Sequence, residues 1–210
     1  MTHRPSGRRE CILAATTNRG KLREIAQVLQ DLPFKLLSLD DLAIKQQAPE
    51  DGLTFLDNAR QKALFYSRST SLLTLAEDSG LEVEALDGAP GVYSARFAGP
   101  RADDRLNLEK VLAMMQGAPQ EKRGARFICC LVLCRKQKIL AEITGMVTGR
   151  ISLEPRGRNG FGYDPIFFYP PLDRTFAQLT PREKNSVSHR GQALRKLRDF
   201  LNQMPPSSPA

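Results

Sequence analysis

Two adjacent acids, a hydroxyl and a glycine follow an apolar run near residue 75, and their types and spacing could bind a metal. Residues 72–76 read as a short buried strand, and we expect the chain to turn immediately after it, at Glu77, Asp78, Ser79 and Gly80. Neighbouring side chains on a strand point to opposite faces, but a turn after Glu77 would bring both carboxylates toward one hard cation such as Mg²⁺. Acids beside a glycine are also typical of ordinary solvated turns, so the tetrad alone leaves both interpretations open.

A second candidate is the loop between an apolar run at residues 11–15 and the helix-spaced apolar residues at 22–29. Backbone N–H groups at a helix N-terminus bind phosphate, and a lysine there adds a positive charge. The loop ends in Gly-Lys, but Ala15 stands where the first glycine of a P-loop is required, which excludes that motif. A plain strand-to-helix turn is the alternative. The loop consists of Thr16, Thr17, Asn18, Arg19, Gly20 and Lys21.

Residues 156–165 form a glycine-rich loop that carries two aromatic side chains, Phe161 and Tyr163. Its glycine order is G-x-x-G-x-G and it precedes a predicted strand, whereas a dinucleotide-binding fingerprint has the reverse order and follows a strand. We therefore make no Rossmann assignment. The aromatics could clamp a base by stacking, or they could anchor the loop to the core.

His189 and Arg190 lie in the first turn of a predicted helix that begins at Ser186 or Ser188 and ends near Met204. Cations at a helix N-terminus are disfavoured by roughly 0.3–1 kcal/mol. Their presence there indicates a ligand, although His189 could also be a satisfied structural histidine. The same helix has an apolar stripe for the core, made of Leu194, Leu197, Leu201 and Met204.

These side chains must be positioned by an alternation of strands and helices. Residues 34–39 read as a strand, and Thr54 with Asp57 starts a helix that runs to about residue 69. On that helix Asn58 and Lys62 are neighbours on a face away from the core, where they could meet a ligand or water. Residues 81–86 alternate like a strand, 103–116 have helical periodicity, and 125–134 with 139–147 form an antiparallel hairpin at the centre of the sheet. A strand at residues 165–169 completes an α/β fold with a mixed sheet.

Size and composition are those of a soluble globular protein. The chain has 210 residues, 41% of them hydrophobic and 26% charged, and no run approaches the roughly 18 apolar residues of a membrane span. We expect one domain at residues 11–204, a flexible basic leader at 1–10 and a disordered tail at 205–210. The leader lacks a signal-peptide core, which favours the cytoplasm and no membrane partner. The four cysteines lack metal or disulfide spacing.

A net charge of +8 indicates an anionic partner, which could be a nucleic-acid backbone or a nucleoside triphosphate. Acids at the same predicted strand ends, and the absence of a nucleic-acid-binding signature, argue against nucleic acid.

Seven motifs in one order resemble the inosine/xanthosine triphosphate pyrophosphatase family, and the match is closest to its bacterial dITP/XTP diphosphohydrolases. The resemblance extends from about residue 11 to residue 201. The motifs are residues 16–21, Glu50 with 52–55, 57–62, 77–81, 88–96, 160–165 and 188–191. It implies a curved mixed sheet between helices, a cytoplasmic homodimer, and Mg²⁺-dependent hydrolysis of deaminated purine nucleoside triphosphates to the monophosphate and pyrophosphate. The chain departs from relatives at Glu77, where many have aspartate, and at Thr17, where glycine is frequent.

The resemblance also implies roles for individual residues. Asp78 is the catalytic residue, which orients or deprotonates water, and it holds Mg²⁺ with Glu50 and Glu77. Thr16, Asn18 and Lys21 cradle the phosphates, with Lys62 as a further candidate. Phe161 stacks on the base, and Lys184 and Arg190 are donors for its 6-keto oxygen. The remaining residues expected to touch the substrate are Thr17, Arg19, Gly20, Ser79, Gly162, Tyr163, Asp164 and His189.

Two other functions fit parts of this pattern. One is a nucleic-acid-binding protein, which the basic charge would suit. The other is a pyrophosphatase of the related septum-inhibitor group, which acts on modified pyrimidine nucleotides.

Overall fold

The computed structural model describes residues 10–100 and 103–204, and within them the chain forms a seven-stranded mixed sheet flanked by helices. The strands are β1 Glu10–Ala15, β2 Phe34–Ser38, β3 Leu73–Val83, β4 Gly124–Arg135, β5 Lys138–Ile151, β6 Phe167–Tyr169 and β7 Arg174–Thr175. Their order in the sheet is β2-β1-β3-β4-β5-β6-β7, with β2, β1 and β3 parallel and every later pair antiparallel. The predicted α/β fold with a mixed sheet is confirmed.

Apolar residues on the two faces of the sheet alternate and pack against different helices. Ile12 and Leu131 belong to a cluster with α1 and α5, whereas Leu13 and Val132, one residue further on, belong to a cluster with α2. A third cluster packs α3 against the last residues of β3 and β5 and the first residues of β4. A one-residue slip of a strand would exchange its two faces, so every side chain would meet the wrong helix. The helices are α1 Arg19–Leu29, α2 Phe55–Ser67, α3 Asp104–Met114, α4 Pro181–Val187 and α5 His189–Gln203.

The third strand is longer than the sequence predicts. We expected it to end at residue 76 with a turn at the acidic tetrad, but β3 continues to Val83, and its ladder with β4 pairs Asp78 with Cys130 and Gly80 with Ile128. The expected turn is therefore wrong. Gly80 serves close packing instead, since a Cβ there would lie 2.3 Å from the hydroxyl of Ser94. The expected strand at 81–86 is the end of β3 followed by a 3₁₀ helix, Glu84–Leu86.

Local signals predict the other elements well. Thr54 caps α2 by accepting from the N–H of Asp57, and the β4–β5 hairpin lies at the centre of the sheet. The final helix starts at the later of its two predicted positions, because Ser188 caps α5 by accepting from the N–H of Gly191. The short helix α4 before it is not predicted.

The expected leader and tail fall almost wholly outside the described residues; Glu10, placed in the leader, instead begins β1. Within the described residues, no helix combines the length and apolarity needed to cross a bilayer.

Candidate active site

A cavity of about 310 Å³ opens where β1 ends and β3 continues. Pairing of β1 with β3 stops at Ala15 opposite Ala76, so the following residues of β3 border the cavity along the edge of the strand. Side chains from both faces of β3 reach this space, and Asp78 and Ser79 both line it. Most residues expected to touch substrate or metal lie around the same cavity: Thr16, Thr17, Asn18, Lys21, Glu50, Asp78, Ser79, Phe161, Gly162, Tyr163, Asp164, Lys184, His189 and Arg190.

Three of the expected residues do not line the cavity. Arg19 is exposed at the start of α1. Gly20 is buried, and a Cβ there would lie 2.6 Å from the ring of Phe161. Glu77 is enclosed behind Arg190 and Lys21. Gly20 therefore has a packing role, which lets the start of α1 touch the glycine-rich loop.

The two adjacent acids of β3 face different partners. The Glu77 carboxylate accepts from Nε and Nη2 of Arg190 at 2.7–2.9 Å, and Nζ of Lys21 is 3.4 Å away. Asp78 lies on the other face, where it meets Nζ of Lys62 at 2.9 Å. Because no turn separates the two acids, their side chains leave β3 on opposite faces, and Glu77 pairs with Arg190.

Ionisation of Glu77 follows from these contacts. Burial alone would raise the pKa of its carboxyl, but Arg190 and Lys21 outweigh burial and hold that pKa well below its ordinary value. The same pairing keeps Arg190 charged, because Glu77 and Glu24 raise the pKa of the guanidinium despite burial. The pair therefore stays ionised at neutral pH, inside the protein.

Glu24 of α1 joins this network and is missed by the sequence analysis. Its carboxylate accepts from Nη1 of Arg190 at 2.5 Å and from Nζ of Lys184 at 2.8 Å. Burial would raise the pKa of Glu24, but Arg190 and Lys184 lower it below its ordinary value. One signal was present: Glu24 follows Lys21 by three residues, which places both on one face of a helix.

Lys184 connects Glu24 to the glycine-rich loop. Its ammonium donates to Asp164, which also accepts from the N–H of Phe161 at 2.9 Å. Burial raises the pKa of Asp164 in spite of Lys184. The Lys184 ammonium lies 4.7 Å, and the Arg190 guanidinium carbon 5.4 Å, from the centre of the Phe161 ring. This end of the cavity thus offers an aromatic face and cationic donors.

The two aromatics of the glycine-rich loop have different roles. Tyr163 is buried and donates its hydroxyl to the carbonyl of Ser94 at 2.8 Å, which anchors the loop to the core. Phe161 lines the cavity. Asp104, also missed by the sequence analysis, accepts from the N–H of Gly162 at 2.8 Å and ties the loop to α3.

His189 is buried and stacks on Phe127, with ring centres 4.6 Å apart. Burial, followed by the nearby charges of Arg190 and Lys184, lowers the pKa of the imidazole well below its ordinary value, so the ring is neutral at pH 7. Its Nδ1 is buried and has no hydrogen-bond partner within the described part of the chain. The ring lines the cavity and so presents a neutral face to it.

On the face of β3 where Asp78 lies, two carboxylates surround one ammonium. Nζ of Lys62 lies 2.9 Å from Asp78 and 3.5 Å from Glu50. No cluster of three metal-ligating side chains exists within residues 10–100 and 103–204. Asn18 caps α1 by accepting from the N–H of Lys21 at 3.0 Å, and both residues line the cavity at the start of the helix. The arrangement suits a charged ligand that carries an aromatic group.

Comparisons with known proteins point the same way. The chain is 45% identical over 193 residues to a dITP/XTP pyrophosphatase of Desulforamulus reducens, covering 92% of this chain and 96% of the relative. It is 48% identical to the enzyme of the same name from Yersinia pestis, covering 90% and 97%. Solved structures of a HAM1 protein from Coxiella burnetii (TM-score 0.84, 41% identity, covering 93% and 100%) and of the Ham1 protein of Staphylococcus aureus (0.82, 36%, covering 92% and 98%) share the fold. The sequence model of the Ham1 family matches residues 12–200. This chain belongs to the Ham1 family.

Proposed function

We propose that the protein hydrolyses the deaminated purine nucleotides dITP, ITP and XTP to the monophosphate and pyrophosphate, and so cleanses the nucleotide pool. The observation that carries this proposal is that Asp78 and Lys21, 57 positions apart in the chain, line one cavity together with Phe161 and Lys184. The relatives named dITP/XTP pyrophosphatase match it over nearly their whole length.

The proposed cofactor is Mg²⁺, and the residues at the cavity fit it. Mg²⁺ in nucleotide enzymes is held by one or two carboxylates together with substrate phosphates and water. Asp78 and Glu50 already converge on one positive group, since both carboxylates contact the ammonium of Lys62. When bound, Mg²⁺ would polarise a phosphoryl oxygen and neutralise charge on the pyrophosphate leaving group. We therefore assign Asp78 and Glu50, and no longer Glu77, as metal ligands.

The protein side chains supply the remaining steps. Asp78 orients the attacking water and accepts its proton, help that is worth typically about 10²–10⁴-fold in rate. Lys21 and the N-terminus of α1, shaped by Asn18, bind the triphosphate, and the hydroxyl of Thr16 adds a donor. Lys62 lies beside Asp78 and adds a positive charge at the reacting phosphate.

Base selection is proposed to follow hydrogen-bond polarity. Lys184 uses two of its three N–H donors on Glu24 and Asp164, and Arg190 uses four of its five on Glu77, Glu24 and Ser79. The remaining donors suit the 6-keto oxygen of hypoxanthine or xanthine, and Phe161 provides a stacking face. Adenine presents a 6-amino donor at that position, where it would face another donor. Such a mismatch lowers kcat/KM for the wrong base by about 10⁴–10⁵-fold.

Pyrophosphate release from dITP, XTP, dATP and dTTP, with and without Mg²⁺, tests the proposal. We expect turnover of dITP and XTP that requires Mg²⁺, and little turnover of dATP. Asp78→Asn should lower kcat by about 10²–10⁴-fold while the circular dichroism spectrum stays unchanged. Preference for a modified pyrimidine triphosphate would instead favour the septum-inhibitor activity. Salt-sensitive DNA binding without pyrophosphate release would favour a nucleic-acid-binding protein.

A homodimer in the cytoplasm is also proposed. Leu53 and Tyr93 are 90% and 59% exposed and border one surface cleft, and exposed hydrophobic side chains grouped in this way mark protein contacts. A second copy of the chain is the partner we propose for this patch.

A further inference from the structure

Asn58 of α2 is buried, with only 1% of its surface exposed, and its amide joins two parts of the proposed site. Its Nδ2 donates to Oδ2 of Asp78 at 3.1 Å. Its Oδ1 accepts from the N–H of Gly52 at 2.8 Å. One side chain therefore holds both the proposed base and the loop that carries Glu50.

The contact with Asp78 determines how that carboxylate is presented. Lys62, one helical turn after Asn58, binds Oδ1 of Asp78, so each oxygen of the carboxylate has its own partner on α2. The terminal torsion of an aspartate is broad and roughly two-fold, so a strand backbone alone does not select one orientation. A donor fixed on a capped helix does select one.

The contact with Gly52 has a second consequence. Residues 45–52 have no regular secondary structure, and Glu50 lies in this segment. The bond from Gly52 ties the segment to the same helix that orients Asp78. The Asn58 amide therefore links the backbone beside Glu50 directly to the carboxylate of Asp78.

We propose that Asn58 is a positioning residue for the hydrolysis, which acts through Asp78 and the Glu50 loop without touching the substrate. This inference rests on the proposed function, in which Asp78 is the base and a metal ligand. The competing interpretation is a purely structural amide that only satisfies a buried backbone N–H.

Asn58→Asp separates the two roles. An aspartate keeps the oxygen that accepts from Gly52 but replaces the donor to Asp78 with a second carboxylate. The free energy of one hydrogen bond to a charged group corresponds to a rate factor of about 10- to 100-fold. We therefore expect kcat for dITP to fall by that factor. A folded Asn58→Asp enzyme with the kcat of the wild type would overturn the proposal.

Gln61→Ala is the matched control. Gln61 lies on the same helix and donates to Asp51 of the same loop at 2.8 Å, but it binds no atom of Asp78. We expect its kcat to stay within about twofold of the wild type, because the exposed hydrogen bond that this change removes involves neither Asp78 nor Glu50. If Gln61→Ala lowers kcat as much as Asn58→Asp does, the loss is not specific to the contact with Asp78 and the proposal is overturned.

A swapped pair tests the contact without any nucleotide. Asn58→Asp places two carboxylates at hydrogen-bond distance and should lower the melting temperature. The double variant Asn58→Asp with Asp78→Asn restores one donor and one acceptor, so its melting temperature should recover while turnover stays lost. Simple addition of the two single effects on stability would contradict the proposal, because residues in contact are expected to couple.

Should Asn58→Asp fail to fold, recovery of folding in the double variant supports the proposal and a double variant that also fails to fold overturns it. If instead the wild type releases no pyrophosphate from dITP, the proposed function fails, whereas this stability test still reports on the contact.

Discussion

At the scale of single residues, Glu77 and Asp78 differ because a strand sends neighbours to opposite faces. Glu77 enters a buried network with Arg190, Lys21 and Glu24, and Asp78 reaches the cavity beside Lys62. The extra methylene of Glu77 relative to aspartate therefore lengthens the side chain that pairs with Arg190. The guanidinium of Arg190 lies 5.4 Å from the centre of the Phe161 ring, and the carboxylates of Glu77 and Glu24 balance its charge.

Glu77→Gln tests the network. Removing one partner of a buried pair leaves charge uncompensated, so we expect a loss of about 3–5 kcal/mol in the free energy of unfolding. Because the pKa of Glu77 is lowered in the folded state, its stabilising effect is complete above the unfolded pKa of about 4.3 and is lost as the pH falls below that value. Urea unfolding of both proteins between pH 7 and pH 3 measures this. A difference that grows toward acid pH would contradict the assignment.

Gly20→Ala tests the contact between α1 and the glycine-rich loop. Alanine is favoured over glycine inside a helix by about 1 kcal/mol, but a Cβ at this position would lie 2.6–2.9 Å from three atoms of the Phe161 ring. We expect the ring to be displaced, with KM for dITP raised by about tenfold and the melting temperature changed by only a few degrees, since a lost aromatic contact is worth about 0.5–1.5 kcal/mol. An unchanged KM would show that Phe161 does not contact the base.

At the scale of elements, two glycines without side chains, Gly145 and Gly191, allow the start of α5 to pack closely against β5 and α4. A Cβ on Gly145 would lie 2.1 Å from the carbonyl oxygen of His189, and one on Gly191 would lie 1.8 Å from that of Asn185. These two glycines let α4, α5 and β5 approach closely enough for Arg190 to reach Glu77. Close backbone approach is a standard use of glycine.

Gly145→Ala should therefore push the first turn of α5 away from the sheet. Overpacking costs typically about 1–3 kcal/mol, and we expect that loss in unfolding free energy together with a lower kcat, because His189 and Arg190 move. Met146→Ala, at the neighbouring exposed residue of β5, is the control and should have neither effect. Wild-type stability in Gly145→Ala would mean that the helix is not seated on this glycine.

At the scale of the whole molecule, the proposed active site lies in one chain, whereas the exposed patch of Leu53 and Tyr93 lies on the outer surface beside α2. The patch adjoins Thr54, the cap of the helix that carries Asn58 and Lys62. A partner bound there would rest against the element that orients Asp78.

Light scattering after size-exclusion chromatography tests the proposed dimer. We expect about twice the chain mass of 23.4 kDa for the wild type and for Leu153→Asp, whose substituted residue is 79% exposed but lies outside the patch. Leu53→Asp should shift the mass toward the monomer, because a charge buried in an interface without a partner is costly. A wild-type monomer, or a dimeric Leu53→Asp, would remove this patch as the interface.

Much of the fold could be predicted because its signals are local. Thr54 and Asp57 start α2 within one turn, helical periodicity places Leu194, Leu197 and Leu201 on one face, and two apolar runs joined by a short polar turn predict the central hairpin. The members of the site could also be named, because their motifs are short and occur in one order.

What only the tertiary structure decided was which of those residues meet. The length of β3 depends on its ladder with β4, which is about 50 residues further along the chain, so the acidic tetrad reads as a turn in sequence and is strand in the fold. The partnership of Glu24 with Arg190 spans 166 positions, and that of Asn58 with Asp78 spans 20. Residue types determine which pairs are chemically possible, whereas the register of the sheet and the seating of α2 and α5 on it determine which pairs come within hydrogen-bond distance.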